Sequence, residues 1–234
     1  FQQSLSHLTA GLRQDVAALL VSVQMERRNG EVKPWQFLDP NRLLAHVVES
    51  CPELAAAVGR AANQSPPTAQ KPWGLVVCFD EFTPGDKLKS YYSRKALVLG
   101  FAFVEWPEDI VCKDYAWAIP VVVRTSVIKD TVGGWSAMLA KYLQVHLLGP
   151  QGLMTAGLVI MIDGQPLHLH AKLVDVCADY EGIRMAWDWR GAASMRPCLR
   201  CANVFRKDTD LAGRLGCVEI TCCNPDELAE RSNE

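Results

Sequence analysis

Residues 74–84, with the sequence GLVVCFDEFTP, constrain the fold of this chain more than any other stretch. Their apolar, β-favouring run ends at Phe79 and is followed by two adjacent carboxylates, Asp80 and Glu81. A short apolar run bounded by turn residues predicts a buried strand. Carboxylates at the mouth of a buried strand are costly unless a cation compensates their charge. We therefore predict a cation site here; the alternative is that Asp80 only caps the following turn.

Composition excludes several classes of protein. The chain has 234 residues, 49% of them hydrophobic, which is enough for one large domain or a domain with an appendage. Its net charge of −2 and pI near 6.2 argue against a dense basic field for gripping nucleic acid. No apolar run reaches bilayer length and no signal segment is recognisable, so we predict a soluble, intracellular chain without membrane contact. A first residue that is Phe1 and not methionine is typical of a fragment or a processed piece.

The first 72 residues predict a helical appendage and a linker. Apolar residues recur at helical spacing over residues 4–28, so we expect a helix there that ends in the basic pair Arg27-Arg28 on a solvated face. Asp39 followed by a proline predicts the start of a second helix. A capping box of Ser50 and Glu53 predicts a third helix. The polar, proline-rich residues 63–72 read as a boundary.

Residues 73–190 predict an α/β core. After the first strand, residues 96–106 and 117–123 read as strands, and three strands without helical spacers favour an antiparallel meander. A helix is expected over residues 133–148, followed by a hairpin at Asp163-Gly164. The returning strand, residues 166–178, changes its apolar phase between Leu173 and Val174, which predicts a bulge or bend before Asp179. A further helix is predicted over residues 180–189.

This order of elements is the layout of a ribonuclease-H-like mixed sheet. One acid, Asp80, ends the first strand, and a second, Asp179, follows a later strand. The sheet of such a fold brings two distant acids together, so we predict that they share a Mg²⁺ or Mn²⁺ site. Adjacent strand residues point to opposite faces, which leaves Glu81 as the secondary candidate.

A family resemblance rests on residues 177–204, CADYEGIRMAWDWRGAASMRPCLRCANV. This segment resembles the second-acid region of cut-and-paste DDE transposases of the CACTA (Plavaka-like) class. In that family an Asp that ends a strand precedes a helix, a Lys/Arg-Gly segment and a Cys-x-x-Cys pair. The corresponding residues here are Asp179, Arg190-Gly191, and Cys198 with Cys201. The strand that ends in Asp80 resembles the family's first-acid strand, so the resemblance covers residues 74 to about 224.

The resemblance implies a nuclear, metal-dependent core that cleaves and joins DNA strands, with Asp80 and Asp179 as the catalytic metal ligands. The family's third acid lies well downstream; the in-chain candidates are Glu219, Asp226 and Glu227. Homo-oligomerisation is left open. One alternative is a non-catalytic, transposon-derived interaction or DNA-binding module that keeps a structural zinc. Another is an unrelated α/β binding domain in which Asp80 is a turn residue.

Residues 191–234 form a cysteine-rich segment, expected to be the start of an insertion. The chain has nine cysteines, an odd number that does not suggest a secreted disulfide framework. Cys198 and Cys201 have the spacing of a zinc half-site, and Cys222, with its neighbours Cys217 and Cys223, offers further ligands. The alternative is buried free thiols.

Further candidates are single side chains near predicted strand ends or on strand and helix faces. Those expected to contact DNA phosphate are Arg94, Lys95, Arg124 and Arg190, with ordinary surface charge as the alternative. Tyr180, Trp187 and Trp189 are candidates for stacking on bases or for the core. His168 and His170 are candidates for metal or phosphate binding, or for the solvent face of a strand.

Overall fold

The computed structural model describes residues 18–83 and 95–188. Its strands are β1 (Leu20–Glu26), β2 (Val32–Leu38), β3 (Trp73–Phe82), β4 (Ala96–Phe103), β5 (Ala118–Arg124), β6 (Leu158–Ile162), β7 (Gln165–Leu169) and β8 (Ala171–Cys177). Its α-helices are α1 (Pro40–Ser50), α2 (Pro52–Gln64), α3 (Glu108–Val111), α4 (Thr125–Asp130), α5 (Gly134–Leu143) and α6 (Tyr180–Ala186). A single 3₁₀ turn covers Asp114–Ala116, and a π-helical turn, Gln144–Leu148, continues α5. These elements confirm the predicted α/β class.

A mixed four-stranded sheet lies at the centre, in the order β5-β4-β3-β8. Strand β4 is antiparallel to both of its neighbours, whereas β8 runs parallel to β3. The predicted meander of three strands is therefore confirmed. The parallel fourth strand is reached by a crossover through α4, α5 and the β6–β7 hairpin.

The two faces of this sheet differ. Along β3, Leu75, Val77 and Phe79 are buried, and the ring of Phe79 meets Trp135 of α5 edge-on, 5.4 Å between centroids. The alternate residues Val76 and Cys78 are only half-buried. Since alternate strand residues point to opposite faces, one face packs on α5, whereas the other is only partly covered by the described residues. We call the second the open face.

The helix predicted over residues 4–28 is wrong for its last third, because β1 is a strand that pairs antiparallel with β2. Val23 lies opposite Trp35, and Val21 opposite Phe37. The stretch LVSVQM alternates in polarity as well as fitting a helical face, and pairing with the buried aromatics of β2 decides between the two. Residues 1–17 lie outside the described residues.

The two predicted helices that follow are confirmed, although their caps differ. The Oδ1 atom of Asp39 accepts hydrogen bonds from the backbone N–H groups of Asn41 and Arg42, at 3.0 and 3.1 Å. Asp39 therefore caps α1 as expected. Helix α2 begins at Pro52 with Cys51 in the cap position and without a side-chain cap, so the predicted capping box does not form.

The predicted returning strand over residues 166–178 is in fact two strands in different sheets. Strand β7 pairs with β6, the chain turns out of both sheets at His170, and β8 joins the central sheet. The predicted hairpin turn at Asp163-Gly164 is confirmed, with both residues at positive φ.

A compact unit ends at Ala186, and Trp187 begins a second. Arg94, Trp189, Arg190 and the whole cysteine-rich segment, residues 191–234, lie outside the described residues. No helix within residues 18–83 and 95–188 is long and apolar enough to cross a membrane.

Arg27 is buried, contrary to the solvated helix end that the sequence suggests. The residue is 8% exposed, and Nη1 donates to the backbone oxygen of Val127 at 3.0 Å and to Oγ1 of Thr131 at 2.9 Å. The same nitrogen lies 3.7 Å from a carboxylate oxygen of Asp130. Arg27 thus joins the β1–β2 hairpin to helix α4 and its C-terminal end.

We expect Arg27→Ala to lower the free energy of unfolding by about 2–4 kcal/mol, because it removes two hydrogen bonds and the long side chain from a buried position. Urea unfolding followed by circular dichroism measures the effect. The adjacent, exposed Arg28 is the matched control, and Arg28→Ala should change stability by less than about 0.5 kcal/mol. Equal effects of the two variants would contradict a structural role for Arg27.

Candidate functional site at the ends of β3 and β8

The register between β3 and β8 contains one bulge, and this bulge decides which side chains meet. Leu75 lies opposite Leu173, but the next residue, Val76, lies opposite Asp175, so Val174 is the extra residue of β8. The bulge falls where the sequence changes phase, which confirms that prediction. Because of the extra residue, Cys78 lies opposite Cys177 rather than opposite Val176.

Asp80 and Asp179 each lie two residues beyond this last register pair, Cys78 and Cys177. Parallel neighbouring strands are about 4.8 Å apart, and the chain passes both acids at the same edge of the sheet. Both residues are exposed. Two acids that are far apart in the sequence therefore follow the same end of two neighbouring strands.

Each of the two acids uses one carboxylate oxygen in a local hydrogen bond. Oδ1 of Asp80 accepts from the N–H of Glu81 at 2.7 Å. Oδ1 of Asp179 accepts from the N–H of Gly182 at 2.6 Å, and the Asp179 carbonyl accepts from Ile183, so Asp179 caps helix α6. A Cβ atom at Gly182 would lie 2.8 Å from the Cβ of Ala178, which explains why glycine suits this close approach. An asparagine at either acid position would keep these local bonds.

Glu81 belongs to the other face of the sheet. It is half-buried; Oε2 lies 2.7 Å from Nζ of Lys95, and Oε1 accepts from Oγ1 of Thr125 at 3.2 Å. These bonds tie the end of β3 to the start of β4 and of α4. Lys95, a predicted phosphate contact, is therefore engaged by Glu81.

Arg124 lies on the open face with Asp80. The register places Asp80, Val98 and Val122 in one row across the sheet, and Arg124 follows Val122 by two residues on the same face. Two strand spacings separate β3 from β5, about 10 Å. Val122 is 62% exposed and Arg124 is also exposed, so this end of the open face combines a carboxylate, a cation and apolar surface.

Two free thiols lie beside the acids on the open face. Cys78 is half-buried and Cys177 is exposed. Burial, followed by contact with the Cys177 thiol, raises the pKa of Cys78 to about 12. Sγ of Cys177 lies 3.9 Å from a carboxylate oxygen of Asp175.

Neither of the two histidine candidates lies at these strand ends. His168 lies on the β6–β7 hairpin, and His170 precedes the first residue of β8, at the end of the strand opposite Asp179. Tyr180 and Trp187 are exposed. Among the described residues, no three His, Cys, Asp or Glu side chains are arranged to hold a metal ion.

Sequence reasoning missed a buried polar pair beneath the sheet. His146 of the π-helical turn is fully buried; its ring centroid is 4.5 Å from that of Phe101, and Nδ1 is 2.9 Å from Oη of Tyr142. Its Nε2 has no hydrogen-bond partner among the described residues. Burial lowers the pKa of His146 to about 3 and raises that of Tyr142 well above its usual value. The only signal in the sequence is the four-residue spacing of Tyr142 and His146 on one helix face.

We expect the neutral His146 to make stability depend on pH. The unfolded histidine takes up a proton below its ordinary pKa of 6.5, whereas the folded one stays neutral until about pH 3. Stability is therefore full above pH 6.5 and falls as the pH decreases, by about 2 kcal/mol between pH 6.5 and about pH 5. Urea unfolding across this range measures the slope.

His146→Gln is expected to reduce the dependence of the unfolding free energy on pH. The exposed His46 provides the matched control, since His46→Gln should leave that dependence unchanged. A slope that persists in His146→Gln would assign the pH dependence to other groups.

The chain matches no family model, no curated protein and no solved structure in comparisons with known proteins. The fold therefore defines only the class of protein: a mixed α/β protein in which acidic residues lie near the ends of two parallel strands.

Proposed function

We propose that this chain is a transposase-like protein of the DDE type, which cleaves and transfers DNA phosphodiesters with the help of a divalent cation. The observation that supports this proposal is the register of β3 and β8: Asp80 and Asp179 each lie two residues beyond the register pair Cys78 and Cys177 of these neighbouring parallel strands. A metal-dependent site for phosphoryl transfer needs convergent carboxylates, and here two acids from distant parts of the sequence follow the same end of adjacent strands.

The strand order supports the same proposal. The first-acid strand, β3, lies between its hairpin partner β4 and the parallel strand β8 that precedes the second acid. The order β5-β4-β3-β8 and the helical crossover before β8 agree with the ribonuclease-H-like core that the sequence resemblance implies.

The carboxylates also fit a divalent cation. Mg²⁺ and Mn²⁺ prefer oxygen ligands, and a protein often supplies only one or two carboxylates while substrate phosphates and water supply the rest. Asp80 and Asp179 each keep Oδ2 outside the local bonds described above. Both side chains are exposed, so a phosphate can reach them.

In this function the roles of the residues are distinct. Asp80 and Asp179 hold the cation, which stabilises charge on the attacking and leaving oxygens. Water or a DNA 3′-hydroxyl is the nucleophile. Arg124, about 12 Å away on the same face, is placed to contact a backbone phosphate next to the scissile one. Glu81 and Lys95 fix the end of β3 by pairing with each other.

The test is Mn²⁺-dependent nicking of supercoiled plasmid DNA. We expect Asp80→Asn and Asp179→Asn to slow nicking by about 100-fold or more, since each removes a charged metal ligand while keeping the local hydrogen bond. Asp163→Asn is the matched control: Asp163 is exposed in a hairpin turn at φ 49°, where asparagine is well tolerated. Unchanged nicking in both acid variants would contradict the proposal.

A second candidate is a non-catalytic DNA-binding module derived from a transposon. It is favoured because, among the described residues, no three His, Cys, Asp or Glu side chains are arranged to hold a metal ion. The zinc ligands it requires, Cys198, Cys201 and Cys222, remain predictions. DNA binding and bound zinc without Mn²⁺-dependent nicking would select this candidate. For both proposed functions we expect the protein to act in the nucleus.

A further inference from the structure

Cys78 and Cys177 are placed side by side on the open face. They are register partners on adjacent parallel strands, so their side chains point the same way, and the two thiols are in contact. Adjacent strands are about 4.8 Å apart, within the roughly 4.4–6.8 Å that Cα atoms of a disulfide span. The fold has therefore brought two distant cysteines to bonding range.

The two thiols also differ in accessibility. Cys177 is exposed at the end of β8, next to Asp175, whereas Cys78 is half-buried in the centre of the sheet. An oxidant in solution thus meets Cys177 first, and Cys78 is already in position to react with the product. The other described thiols, Cys51 and Cys112, lie at helix ends and not in this sheet.

We propose that Cys78 and Cys177 form an oxidisable dithiol that hydrogen peroxide closes to a disulfide between β3 and β8. The sulfur of Cys177, having lost its proton, attacks one peroxide oxygen; the O–O bond breaks, hydroxide leaves and Cys177 becomes a sulfenic acid. The sulfur of Cys78 then attacks that of Cys177, the S–S bond forms and the S–O bond breaks. Two thiols lose two electrons, and two water molecules are formed from one peroxide.

The disulfide would join the strands two residues before Asp80 and Asp179, and so fix the separation of the two strand ends. The oxidation itself does not depend on the proposed phosphoryl transfer, since the register and the thiol contact alone carry it. Failure of the nicking experiment would leave this inference untouched.

The experiment is oxidation of the purified chain with increasing hydrogen peroxide, alkylation of the remaining thiols, digestion and mass spectrometry. We expect a Cys78–Cys177 linked peptide to appear, and alkylation of these two residues to be lost before that of Cys51 and Cys112. Dithiothreitol should restore the alkylation of Cys78 and Cys177.

Variants sharpen this test. Cys177→Ser, at an exposed position, should abolish the linked peptide and keep Cys78 alkylated, whereas Cys112→Ser should leave the linked peptide unchanged. The proposal is overturned if Cys78 of the unmodified sequence stays alkylated while Cys112 is oxidised, or if Cys78 is linked to a different cysteine. Neither result depends on whether a variant folds.

Discussion

Mn²⁺ affinity should fall by at least about 10-fold in Asp80→Asn and in Asp179→Asn, and the double variant should lose little more than either single one. The effects of removing two carboxylates that bind one cation are not additive, because the loss of either carboxylate already removes most of the binding. Titration calorimetry with Mn²⁺ on the four proteins gives the coupling free energy directly.

Additive losses across this double-mutant cycle would mean that the acids act on separate ions, against the shared site. The exposed Asp163→Asn again serves as the control that should keep the affinity of the unmodified chain. Because each asparagine keeps its backbone hydrogen bond, all the variants should unfold within about 0.5 kcal/mol of one another.

Inserting one alanine between Asp175 and Val176 should lower both stability and Mn²⁺ affinity, although it removes no acid. The bulge at Val174 would remain, but Val176 would then lie opposite Cys78 instead of Val77, and Asp179 would shift by one residue relative to Asp80. Val176 would leave the packed face, which should cost about 1–3 kcal/mol of unfolding free energy. Mn²⁺ affinity should fall as far as in Asp80→Asn.

Val174→Ala is the matched control for the insertion. Val174 is 48% exposed, so shortening its side chain keeps the bulge and should cost less than about 1 kcal/mol, with Mn²⁺ affinity unchanged. An insertion variant that binds Mn²⁺ as well as Val174→Ala would show that the register of β8 does not position the acids.

At the candidate site, the local sequence pattern predicts single elements but not how they pair. The apolar run before Asp80 predicts its strand, and the phase change at Val174 predicts the bulge that the register shows. Neither pattern reports which strand lies next to which. The pairing of Cys78 with Cys177 follows from the crossover through α5, which returns the chain parallel to β3.

For residues 20–28, the local pattern did not predict the observed secondary structure. Their apolar residues suit a helix face and a strand face equally, and the choice is made by Trp35 and Phe37, which belong to another segment. The burial of Arg27 follows from that hairpin, because only the bridge from Arg27 to Thr131 brings its guanidinium to helix α4. The burial of His146 likewise cannot be predicted from its helix, because it depends on the contact with Phe101 of β4.

The sequence by itself determined the α/β class, the acid at the end of each of two strands, and the Asp39 cap of α1, because periodicity and capping act between near neighbours. Only the tertiary structure decided that β8 lies parallel to β3, so that Asp179 follows the strand next to that of Asp80, that Cys78 meets Cys177, and that Arg27 is buried. Those outcomes depend on strand pairing and burial between distant segments, where the free energy comes from contacts that no local pattern records.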